Sequence, residues 1–240
     1  MPPINLPSLE AILYVARGAG YTIGLIAGAM SLGLIMGLPM AAIEVYGPRW
    51  AKFLVGAYVW FFRGIPILVL LLLFYFGIFS ALEKALSSFL GQKVILPPFA
   101  ASVAALGLAS AAYQSQIFRG AILSLHGGQY LAAKSLGFTP LKAICSITLP
   151  QALRLAIPAW ANEYSILLKD SAVAYVLGTL EIMSRVGHMV ATTHAHVPLY
   201  ITAGALYFIL THLGISALKA LERATRIPGL GADHLGSEAA

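Results

Sequence analysis

Charge is scarce in this sequence. Of 240 residues, 9 are Asp or Glu and 15 are Lys or Arg, so 10% are charged and 59% are hydrophobic. Soluble domains carry about 25% charged residues. So few charges cannot cover a globular surface in water, and the soluble enzyme classes are excluded. Cysteine is almost missing. Cys145 alone excludes an intramolecular disulfide framework and any multi-cysteine metal cluster. No nucleophile–base pair and no carboxylate dyad is spaced for hydrolysis, so no enzyme active site is predicted. His188, His194 and His196 have neither carboxylate nor cysteine beside them, and no metal site is predicted there. The N-terminus lacks a basic segment followed by an apolar run and a cleavage site. The expectation is no cleaved signal peptide, with the first span directing insertion.

Long apolar runs fill the space that charge leaves. About 20 apolar residues cross a bilayer as a helix, and five stretches qualify: Gly18–Ile43, Ile65–Phe79 with an apolar lead-in from Phe53 to Phe62, Pro98–Ile117, Leu155–Leu177 and Leu199–Leu221. The runs are continuous rather than alternating, so the predicted class is an all-α integral membrane protein with about five transmembrane helices, multi-pass in the cell membrane and surrounded by lipid. The formal net charge of +6 speaks to topology rather than to nucleic acid, and no nucleic-acid partner is predicted. With the N-terminus outside and the C-terminus inside, ten Lys or Arg, Arg63 among them, fall on the cytosolic side and four outside. The predicted organisation is an outer segment over 1–17, one transmembrane domain over 18–226 with a cytosolic loop over 118–152, and a flexible cytosolic tail over 227–240. Gly20, Gly24, Gly28, Gly33 and Gly37 mark a face of the first span for close helix packing. Trp50, Trp60, Tyr46 and Tyr58 cluster like an aromatic belt at the inner boundary. Residues 181–190 read as an amphipathic outer helix.

The 118–152 loop has structure of its own. Gly128–Gly137 reads as a short helix closed by a glycine cap. Thr139-Pro140 opens a second helix, with Thr as N-cap and Pro in the first turn. That helix is expected to run from Leu141 to Leu149 and stop before Pro150, with Cys145 as a small buried residue within it. A rigid knob of this kind suits a transporter driven by a separate cytosolic motor better than it suits a channel. The segment resembles the EAA loop of ABC-importer permeases. Ala132, Ala133, Gly137, Ile147, Leu149 and Pro150 match that loop in identity and spacing. Phe62-Arg63-Gly64-Ile65-Pro66, Tyr75-Phe76-Gly77, Ala111-Ala112-Tyr113, Ile117-Phe118-Arg119-Gly120 and Leu167-Leu168-Lys169-Asp170-Ser171 resemble the polar amino acid permeases of that family. No one of these short motifs is specific; six in one order are. The family usually has Glu where this chain has Leu131, and often Glu where it has Gln116.

The resemblance implies a type I ABC importer permease fold. It further implies that the six loop residues couple the chain to ATP-binding cassette ATPase subunits. A second permease subunit, the same or related, and an extracytoplasmic amino-acid-binding protein complete the implied assembly. The chain has no G-x-x-x-x-G-K-[ST], so it does not cradle ATP. No cofactor is expected in it; ATP and Mg belong to the partner ATPase.

Ionisable residues at membrane depth are functional candidates by default. The fourth span holds Asn162, Glu163, Lys169 and Asp170. Glu163 and Asp170, seven apart, share one helical face, and Asn162 and Lys169 lie about 100° round. An amino acid brings an ammonium and a carboxylate, and a cationic side chain asks for one carboxylate more, which Glu163 supplies. By resemblance, Asn-Glu at this point goes with basic substrates. The four residues are therefore the candidate substrate-binding set, for arginine, lysine or histidine. The competing reading is that Lys169 and Asp170 only neutralise partners on neighbouring helices. Open alternatives for the whole chain are an ATP-independent amino acid channel or secondary transporter, or an ABC permease for another small solute.

Overall fold

Within lipid an open backbone N–H or C=O has no partner, so uninterrupted apolar runs close their hydrogen bonds internally as helices. The structure, a computed structural model, describes residues 8–125 and 128–226, and every regular element among them is helical. The predicted tail over 227–240, residues 126–127 of the loop and the first seven residues of the outer segment lie outside the described residues.

Helix α1 (Leu9–Ala16) starts at Ser8, whose hydroxyl accepts from Ala11 N, and passes at Arg17 into α2 (Gly18–Tyr46). Next come α3 (Arg49–Gly64) and α4 (Ile67–Leu72), which widens through a π-type stretch, Leu73–Phe79, into α5 (Ser80–Leu90). Helix α6 (Pro98–Ser124) leads to the knob, α7 (Gly128–Ser135) and α8 (Pro140–Ala143). A second π-type stretch, Ile144–Thr148, runs into α9 (Leu149–Asp170), which tightens into a 3₁₀ turn over Ser171–Leu177. Helices α10 (Ile182–Thr193) and α11 (His196–Thr225) complete the chain.

Three runs are long and apolar enough to cross a membrane by length and composition: Leu9–Tyr46, Ile67–Leu90 and His196–Thr225. The other two predicted spans are helical as well, as α6 and α9, but less apolar. Their surroundings explain this. Helix α6 packs against α2, α3, α4 and α9 and buries Ser102, Ser110, Gln114 and Ser115. A helix sheathed in protein does not need a lipid-facing exterior all round. Its contact with α2 is the most extensive in the molecule, and the glycine stripe makes it possible. A Cβ at Gly28 would meet Val103 at 3.0 Å, and one at Gly37 would meet the Ala111 carbonyl at 3.0 Å. From Gly24 to Gly37 the stripe therefore serves packing against α6, while Gly20 meets nothing within 4 Å.

Several expectations are corrected. The lead-in from Phe53 is a helix in its own right, α3, set off by Ile65-Pro66. The second run continues to Leu90 rather than ending at Phe79, and α6 continues past Ile117 to Ser124. The chain does not stop before Pro150: the π-type stretch carries it straight into α9. Proline has no N–H to offer, and a local change of hydrogen-bond spacing lets the helix pass it. Cys145 is exposed rather than buried. Tyr58 turns inward and donates to the Leu108 carbonyl at 2.7 Å instead of joining a belt, whereas Trp50 and Trp60 are exposed. Gln116 donates to Glu44 Oε2 at 2.7 Å, a contact that a second carboxylate would turn into repulsion. The amphipathic helix expected over 181–190 forms, as α10. Glu181 caps α10 by accepting from Met183 N and Ser184 N, and Ile182, Val186 and Val190 bury one face.

Candidate functional site

A cavity of about 510 Å³ opens where the break between α3 and α4 faces the middle of α6 and the C-terminal turns of α9, a size typical of small-molecule sites. Each wall has a local cause. Pro66 biases Ile65 away from helical backbone. Ile65 is extended, at φ −104° and ψ 131°, which ends α3 and leaves Arg63 in its last turn at the cavity wall. Helix α6 brings Ser110 and Tyr113. Helix α9 brings Glu163 and Asp170, whose seven-residue spacing places both on one face.

Glu163 is 4% exposed, and Ser110 Oγ donates to its Oε1 at 2.7 Å. The Arg63 guanidinium lies 5.0 Å from the centroid of the Tyr113 ring, within cation–π range. One small space thus contains a guanidinium and two carboxyl groups, the donors and acceptors that a zwitterion with a cationic side chain calls for.

Of the four residues predicted from the charged span, the cavity takes Glu163 and Asp170. Asn162 and Lys169 are exposed on another face of α9 and do not line it. Lys169 is therefore not the cation of this cavity; Arg63 is. Counting charges by loop put Arg63 with the cytosolic cations because it sits at the edge of an apolar run. The Ile65-Pro66 break just after it was the available signal. Ser110, Gln114 and Trp160 also escaped notice. Trp160 Nε1 donates to Gln114 Oε1 at 2.8 Å, and Gln114 Nε2 donates to Ser110 Oγ at 3.0 Å. Their signal was a Ser and a Gln four residues apart, hence on one face, inside an otherwise small-residue apolar helix.

The knob is a separate surface. Gly137 has φ +82°, the left-handed cap that glycine adopts at no steric cost. Phe138 N reaches back to the Ala133 carbonyl at 3.1 Å and Gly137 N to that of Lys134 at 3.0 Å. The Thr139 hydroxyl accepts from Lys142 N at 3.4 Å. Ala133 is buried beneath α7, Ala132, Gly137 and Pro150 are exposed, and Ile147 and Leu149 are half-buried. Tyr130 packs on Tyr46 with ring centroids 5.1 Å apart, holding the knob to the end of α2. Leu131, Leu136 and Leu141 are 63%, 77% and 72% exposed.

Comparison with known proteins follows the same outline. Residues 29–227 match the family model described as binding-protein-dependent transport system inner membrane component. An octopine transport system permease protein of Rhizobium meliloti is 34% identical over 208 residues, 86% of this chain and 87% of its own. An arginine transport system permease protein of Bacillus subtilis is 32% identical over 90% of this chain and 94% of its own. Among solved structures, an amino acid ABC transporter with histidines superposes with a TM-score of 0.74 at 30% identity, over 90% of this chain and 96% of that one. A methionine ABC transporter in an inward-facing conformation gives 0.75 at 20% identity, over 92% and 100%, a likeness of fold.

Proposed function

The chain belongs to the family of binding-protein-dependent transport system inner membrane components, and on that footing we propose that it is the permease of an importer for basic amino acids. Membership sets aside the ATP-independent channel. The chain is a multi-pass membrane permease of the ABC importer class for polar amino acids. The finer reading concerns substrate, site and partners, and one observation carries it: Glu163 and Asp170 share a cavity with Arg63. Arg63 takes the α-carboxylate of the solute, Asp170 its α-ammonium, and Glu163 the side-chain cation. Charge-assisted bonds of this kind are about twice as strong as neutral ones. The arginine transport system permease among the relatives supports a basic solute.

The assembly follows the family pattern. Two permease chains, same or related, rest on two cassette ATPases that hold ATP and Mg, and a binding protein delivers the solute from outside. The chain crosses five times with its N-terminus outside; α6 and α9 are the two spans shielded by protein. The ATPase receives the knob through Ala132, Ala133, Gly137, Ile147, Leu149 and Pro150, and the exposed leucines replace by apolar contact the polar contact that a Glu at position 131 would make. The knob leads without a stop into α9. From Leu149 to Glu163 is 14 residues, about 21 Å at 1.5 Å per residue, so a knob drawn inward by ATPase closure tilts the helix that carries the carboxylates.

The test is uptake by the complete transporter in proteoliposomes, with labelled arginine against unlabelled arginine, lysine, histidine, glutamine and glutamate. Basic competitors are expected to block uptake and acidic ones not. Glu163→Gln is expected to lower the arginine-to-glutamine uptake ratio about tenfold or more. An unchanged ratio in that variant rejects the assignment.

A further inference from the structure

Behind Glu163 runs a buried hydrogen-bond chain with a fixed direction. Trp160 Nε1 donates to Gln114 Oε1 at 2.8 Å. The Gln114 amide nitrogen donates to the Met30 carbonyl of α2 at 3.2 Å and to Ser110 Oγ at 3.0 Å. Ser110 Oγ donates to Glu163 Oε1 at 2.7 Å. Gln114 and Ser110 are shut off from solvent.

The ends of the chain set its direction. An indole N–H only donates, and a peptide carbonyl only accepts. The Gln114 amide must therefore present its oxygen to Trp160 and its nitrogen to Met30, and it cannot turn over without losing both. Its remaining N–H then occupies Ser110 Oγ as an acceptor. The one proton that Ser110 owns is left for Glu163, whose Oε1 has to accept. A carboxylate fills that role more strongly than a carboxylic acid. Among the described residues Oε1 is so bonded, and Oε2 is left for the cavity. The spacing serves this arrangement: Ser110 and Gln114 are four apart on α6, and Trp160 and Glu163 three apart on α9. On α2, Gly33 leaves the room that the amide fills, since a Cβ there would collide with Gln114 Nε2.

We infer that Gln114, locked by Trp160 and the Met30 carbonyl, is a positioning residue that fixes the proton direction at Ser110 and so presents Glu163 to the cavity as an accepting carboxylate. The inference rests on the reading that Glu163 meets a cationic solute. With Gln114 apolar, the Ser110 hydroxyl is free to turn back to its own helix carbonyls, and Glu163 loses its donor.

The test is equilibrium binding of labelled arginine to the purified permease–ATPase complex, competed by arginine and by citrulline, a neutral molecule of nearly the same shape. Gln114→Met, outside the cavity wall, is expected to reduce the preference for arginine over citrulline about tenfold with citrulline binding held within about twofold, and Ser110→Ala is expected to reduce that preference as much. Ser110→Thr, which keeps the hydroxyl, is expected to retain the preference. The double variant is expected to do no more than Ser110→Ala alone, because Gln114 acts through Ser110. If Glu163→Gln keeps the preference, the reading of the cavity fails and the inference with it. If Glu163→Gln abolishes the preference while Gln114→Met keeps it, or lowers both ligands equally, the inference alone fails. Should Gln114→Met not assemble, Ser110→Ala against Ser110→Thr decides: equal preference in the two overturns it.

Discussion

At the cavity, Glu163, Ser110 and Gln114 are buried and are held across helices by residues far away in sequence. Glu163 is held by Ser110, Gln114 by Trp160 and Met30, and the space for them by Gly33. Around the knob the reverse holds. Gly137 N closes on the Lys134 carbonyl and Phe138 N on that of Ala133, and the Thr139 hydroxyl caps Lys142 N, all within a few residues, while three leucines stand out in the open. A region that faces inward takes its chemistry from packing across helices. A region that presents itself to a partner can be built from local caps and an exposed face. A change in the packing should therefore disturb the cavity and spare the knob, and a change in a cap should do the opposite.

The largest expected effect that bears on this contrast is at Gly33. Gly33→Ala must displace the Gln114 amide. We expect about 2–3 kcal/mol of lost stability from overpacking and broken bonds, read as a lowered unfolding temperature of the purified permease, together with weakened arginine binding. Gly20→Ala has nothing within 4 Å of its Cβ and should stay within about 0.5 kcal/mol of wild type. Equal losses at both positions would show that the stripe is generic packing. Next in size is Gly137→Val, which forces a β-branched residue into φ +82°, a strain of about 2 kcal/mol. Solute-stimulated ATP hydrolysis should fall several-fold while arginine affinity holds within about twofold. A loss of affinity instead would mean that the two regions are not separable. Leu131→Ser removes an exposed apolar contact and should weaken retention of the ATPase by about 1 kcal/mol in a pull-down titration. Thr139→Ala is the smallest. Its cap bond is long, at 3.4 Å, so about 0.5 kcal/mol is expected, seen as faster amide exchange confined to residues 139–149.

The same contrast explains what could be read from sequence. The knob was legible nearly residue by residue, because a glycine cap and a Thr-Pro start are local signals. Cys145, expected buried, stands exposed, and the expected stop before Pro150 came from a real rule. Proline ends most helices, but a π-type stretch ahead of it changes the bonding pattern, and no local residue announces that. The five helical runs were legible from apolar length. Helix α3 was not, because Arg49, Lys52 and Arg63 interrupt the run that marks a span. In the cavity, Glu163 and Asp170 stood out as charges in an apolar segment. Arg63 did not, since a cation at the edge of an apolar run looks like any loop cation. Asn162 and Lys169 were grouped with the carboxylates as one polar stripe about 100° wide, and that turn of α9 is enough to carry them off the cavity.

Sequence by itself determined that this chain lives in a membrane as a set of helices, that it carries a capped knob between two of them, and that one helix carries buried charge. These follow from quantities summed along the chain or over a single turn: apolar length, cap residues and the cost of charge at depth. Only the tertiary structure decided which charges meet and in which direction the protons between them run. Three helices distant in sequence must converge before a guanidinium on α3, a hydroxyl and an amide on α6 and a carboxylate on α9 become one site. A hydrogen-bond chain acquires a direction only when both of its ends are in place.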